Sequence, residues 1–99
     1  MKREHLLAKI EELAERLCFV IRYENLGHVR GGNCRLHDEK YLFVNKSLSI
    51  SSQIDTIAQA LAAVNLEGIY ILPEIRQRLL RFQKPLANPH ENDVQDATQ

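Results

Sequence analysis

The sequence predicts an α+β fold: an N-terminal helix, a small and mainly antiparallel sheet of about three strands, and two further helices. Three observations carry this expectation. Apolar residues recur at three- and four-residue steps over residues 4–17 and again from Ile54 onward, the period of amphipathic helices. Between those stretches lie short β-branched and aromatic runs that suit strands. Glycine-containing polar segments punctuate the runs where the chain has to turn.

In the first helix, residues 4–17, the stripe Leu6, Leu7, Ile10, Leu13, Ala14 and Leu17 opposes Glu4, Lys9, Glu11, Glu12, Glu15 and Arg16. It runs straight into a strand over residues 18–23. A polar connection, residues 24–33, contains Gly27, Gly31 and Gly32, and the adjacent pair permits positive φ or a close backbone approach. Strands at 34–36 and 41–45 flank His37-Asp38-Glu39-Lys40, which reads as a four-residue hairpin loop. Tyr41-Leu42-Phe43-Val44 is apolar throughout, as expected of a strand covered on both faces.

Ser51 or Ser52 is expected to cap the second helix, with Asp55 at capping-box spacing from Ser52. Ile54, Ile57, Ala58, Leu61, Ala62 and Val64 give that helix its apolar face, and Asn65 and Gly68 end it. Residues 69–72 suit a strand or a buried turn. Pro73 suits the first position of a last helix carrying Ile75, Leu79 and Phe82, because that position needs no amide donor. From there the pattern dissolves. The expectation is one domain over residues 1–83 and a disordered C-terminal tail over 84–99.

Composition narrows the function classes. Lys and Arg number 13 and Asp and Glu number 13, so no global field draws nucleic acid or an anionic membrane. Nucleic acid is therefore not an expected partner. Arg76, Arg78 and Arg81 form a small basic group for which the first helix's glutamates offer internal partners. The longest apolar runs fall well short of the ~20 residues that span a bilayer. With two cysteines, Cys18 and Cys34, and no apolar leader, the expectation is a cytoplasmic protein with free thiols.

The densest cluster of reactive side chains runs from His28 through Cys34 to His37. As a metal site it lacks paired ligands at structural-zinc spacing, so no metal and no cofactor is expected. As a nucleophile site, Cys34 beside Arg35 with His28 or His37 as base would make a small enzyme or metal-linked regulator. The plainer reading is a packed cysteine and two loop histidines. Gly31-Gly32 matches neither phosphate-loop pattern.

Leu42-Phe43-Val44-Asn45 resembles the strand end that precedes the zinc helix in the bacterial immunity-repressor zinc metallopeptidases. Thr56-Ile57-Ala58-Gln59-Ala60-Leu61-Ala62-Ala63-Val64 is similar to their T-L-A-H-E-L-G-H-V helix. The resemblance implies a bacterial scaffold whose zinc histidines are replaced by Gln59 and Ala63 and whose catalytic glutamate is replaced by Ala60. Zinc hydrolysis needs all three groups. The leading expectation is thus a non-catalytic protein-interaction or assembly module, with a protein partner or self-association as a homodimer. The small enzyme built on Cys34 with His28 or His37 is the alternative.

Overall fold

A computed structural model describes residues 1–83 of the chain. Its elements are α1 (Arg3–Arg16), β1 (Phe19–Glu24), β2 (Gly31–Leu36), β3 (Glu39–Asn45), α2 (Ile50–Ala62) and α3 (Pro73–Leu80). This is the α+β architecture read from the sequence. The tail expected over 84–99 lies outside the described residues.

The α1 stripe buries Leu6, Ile10, Leu13 and Ala14. Cys18 then adopts φ 70°, the left-handed conformation that commonly ends a helix, and turns the chain into β1. Three strands form one sheet in the order β1-β3-β2. The β2–β3 pairing is antiparallel and the β1–β3 pairing is parallel. The antiparallel majority expected from the sequence gives way to an even split. The cause is the connection after β1, which crosses the end of β3 and sets β2 down on the far side.

Asn45 holds that crossing. Its side chain is fully buried at the end of β3 and donates to the Gly27 carbonyl at 3.0 Å and the Val29 carbonyl at 2.7 Å. Its Oδ1 accepts from the Leu26 and Ser47 amides at 3.3 and 2.9 Å. One buried amide thereby satisfies its two donors and its acceptor oxygen.

Helices α1 and α2 pack on one face of the sheet, and α3 packs on those helices. Leu42 and Val44 point into that core and are fully buried. Tyr41 and Phe43 alternate to the other face, where they are half-buried and their rings stack at 6.0 Å. The expectation that β3 is covered on both faces is not met among the described residues, whose helices pack on one face.

Ser49, rather than Ser51 or Ser52, caps α2 by accepting from the Ser52 amide at 3.2 Å. Asp55 is free of capping and binds Arg78 of α3 at 2.9 Å. Arg81 also approaches Asp55, at 3.9 Å. Arg78 and Arg81 therefore meet α2, and not the glutamates of α1. Pro73 opens α3 as expected, and residues 69–72, expected as a strand or a buried turn, form an irregular segment after a turn at Glu67 and Gly68 and bury Ile71.

Candidate functional site

His37 and Asp38 have φ values of 51° and 68°, so the β2–β3 turn has two residues instead of the four expected. A two-residue turn makes Leu36 and Glu39, which close it, a pair exchanging both backbone hydrogen bonds. Alternation then makes Cys34 with Tyr41, and Gly32 with Phe43, the next bonded pairs. The Asn45 amide, donating to the Arg30 carbonyl at 3.3 Å, continues the series.

The amides and carbonyls of Gly31, Asn33 and Arg35 consequently point away from β3, off the free side of the sheet. Beyond the ladder itself, no backbone hydrogen bond among the described residues takes them up. A row of such groups is a template for another strand. β2 carries no proline and no lysine, the residues that commonly guard a free edge.

A groove follows this edge. A cavity of about 360 Å³ lies between Gly31, Gly32 and Asn33 on one side and Thr56, Gln59 and Ala60 of α2 on the other. A second hollow of about 190 Å³ continues it past Cys34 and Arg35, and the two share Asn33, Ala60 and Ala63. The floor stays open where α2 presents the small side chains of Thr56, Ala60 and Ala63. Gln59 and Ala63 are exposed, so this helix face is not packed against the sheet as core. At the far end of the groove, the Lys40 ammonium lies 4.6 Å over the Phe19 ring.

Gly31 sets the closeness of β2 to β3. Its φ is 117°, and a Cβ there would lie 2.1 Å from the Phe43 carbonyl oxygen. Only glycine fits both constraints.

The reactive cluster read from the sequence is spread along β2. His28 precedes the strand, Cys34 is exposed on the face that the helices leave open, and His37 sits in the turn beyond the other end. Six strand residues separate the histidines' positions, roughly 20 Å at 3.3 Å per residue. Neither histidine lines the hollow beside Cys34. Among the described residues, no group of three or more His, Cys, Asp or Glu side chains is placed to hold a metal.

A larger cavity, about 460 Å³, lies between the start of α1 and α3. Among its charges, Arg78 binds Asp55 and the Met1 ammonium lies 3.5 Å from Glu74. On the inner side of the sheet, burial pushes the Tyr23 phenol well up from its ordinary value, and its hydrogen bond to the Glu11 carboxylate adds to the effect. None of the described helices is long and apolar enough to cross a membrane.

Asn33 and the outward amides carry no signal in the sequence, because edge status depends on the strand order. In the sequence Asn45 resembles a zinc-helix strand end, and the fold makes it the clamp on the crossing loop. Comparison with known proteins returns no matching family model, curated relative or solved structure.

Proposed function

We propose that the chain is a non-catalytic protein-interaction module whose binding element is the free edge of β2 with the groove beneath it. The carrying observation is the row of outward amides and carbonyls at Gly31, Asn33 and Arg35 beside an open cavity. An edge of this kind accepts an extended segment by strand addition, with the groove receiving alternate side chains. Gln59, Ala60 and Ala63, which stand where the resemblance would place zinc ligands and catalytic glutamate, line the groove. In this reading, which the sequence resemblance supports, the protein is a metallopeptidase-like scaffold that offers a strand-binding surface without hydrolysis.

A photo-crosslinking amino acid at Asn33, Arg35 or Val20 tests the reading in cells that produce the protein. Protein adducts should form from Asn33 and Arg35 and be scarce from Val20, which lies on β1 across the sheet. Equal labelling from all three positions, or none from β2, contradicts it. Purified protein supplemented with zinc is expected to hydrolyse no peptide.

A further inference from the structure

We propose that the occupant of this edge is a second copy of the chain, joined by an antiparallel β2–β2 pairing centred on Asn33 that merges two three-stranded sheets into one. The inference rests on β2 being the binding element, and it names the partner. Gly31, Asn33 and Arg35 are symmetric about Asn33. A twofold axis there sets Asn33 against its own copy and Gly31 against the partner's Arg35. Each of these pairs is of the doubly bonded kind, so every outward amide finds an acceptor. Centring the axis on Cys34 would bring Gly31 opposite His37, whose φ of 51° takes it out of the strand, and bonds would be lost.

Side-chain chemistry favours the same register. Residues 31, 33 and 35 share the sheet face of their buried cross-strand neighbours Val44 and Leu42, the face that α2 covers. Gly31 has no side chain, and the 360 Å³ cavity opens beside it. The partner's Arg35 extends along the same face directly into that space. Its new neighbours carry acceptors and no positive charge: Thr56 Oγ1 donates to the Ser52 carbonyl at 3.0 Å and keeps its lone pairs, and the Gln59 amide is exposed. The arrangement is reciprocal, so two cavities are filled by two arginines. Four strand residues separate the paired arginines, about 13 Å, which exceeds the ~10 Å Debye length at 0.1 M salt. Of the α2 residues that line the cavity, Thr56, Ala60 and Ala63 are small, and Gln59 carries the longer side chain, the exposed amide that meets the partner's Arg35.

Sedimentation equilibrium of the full chain, with two variants, tests the proposal. Asn33→Pro deletes an outward amide that the β2–β3 ladder does not use, a change edge strands tolerate. Arg35→Glu alters an exposed side chain that the monomer fold does not need. The wild type should be a dimer in the micromolar range. Asn33→Pro should be monomeric with an unchanged circular dichroism spectrum, and Arg35→Glu should weaken the dimer at least about tenfold, roughly 1.4 kcal/mol. If Asn33→Pro fails to fold, Arg35→Glu alone decides. A monomeric wild type, or a dimer that Arg35→Glu leaves intact, overturns the proposal. A monomeric wild type whose Asn33 crosslinks reach a different protein removes self-pairing and leaves the edge as binding element. Absence of crosslinks from β2 removes both.

Discussion

Asn45 shows how one side chain fixes a topology. The crossing loop exposes carbonyls at Gly27 and Val29 that the sheet cannot bond, and the Asn45 amide satisfies both. Asn45→Ala leaves those carbonyls and the Leu26 and Ser47 amides without this partner. We expect a loss of about 2–4 kcal/mol, since each abandoned buried group costs about 1–3 kcal/mol, measured by urea denaturation. Tyr23 gives a pH signature. A phenol whose folded pKa is raised above its unfolded value contributes stability that is fully present below the unfolded pKa, 10.0, and is lost as pH rises through the folded one. Thermal unfolding above pH 10 should therefore show a progressive loss that Tyr23→Phe lacks. A parallel decline in both proteins would contradict the assignment. The sequence exposed neither role, because both depend on partners distant along the chain, 16 and 18 residues for Asn45 and 12 for Tyr23.

At the level of elements, the helices were legible and the turns were not. Hydrophobic period placed α1 and α2, and Pro73 placed the start of α3. The hairpin was misjudged because neither His37 nor Asp38 is a glycine, yet both adopt positive φ. Residues with a Cβ accept that conformation at a cost of roughly 1–2 kcal/mol. Asp38→Gly should accordingly stabilise the protein by about 1 kcal/mol, read as a higher denaturant midpoint at constant slope. A lower midpoint would show that the Asp38 side chain contributes bonding that the turn geometry does not reveal. Reading the turn as two residues is also what assigns the outward amides, so the candidate edge was hidden behind the same error. The cap of α2 was likewise misplaced by two or three residues, since four of the residues at 47–52 are serines with similar capping chemistry.

At the scale of the molecule, the described residues form a sheet with helices on one face. Three helices suffice to bury Leu42 and Val44, and nothing described covers Tyr41 and Phe43. This separates two substitutions that look alike in sequence. Leu42→Ala should cost about 3–5 kcal/mol, the range for a fully buried aliphatic side chain. Phe43→Ala should cost only about 1–2 kcal/mol, because its half-buried ring has less apolar area to lose. Equal losses would mean that the outer face is covered in solution. The β1-β3-β2 order, which the sequence did not reveal, makes β2 an edge.

The central claim is that the β2 edge is a binding surface, and backbone amide hydrogen exchange tests it residue by residue. In dilute solution Gly32, Cys34 and Leu36 should exchange slowly, because their amides bond to β3. Gly31, Asn33 and Arg35 should exchange close to the rate of an unprotected chain. As the protein is concentrated, protection should appear at those three amides, with Gly32, Cys34 and Leu36 little changed. Outward amides that are already protected at dilution, or that stay unprotected at every concentration and toward every crosslinked partner, would contradict the account.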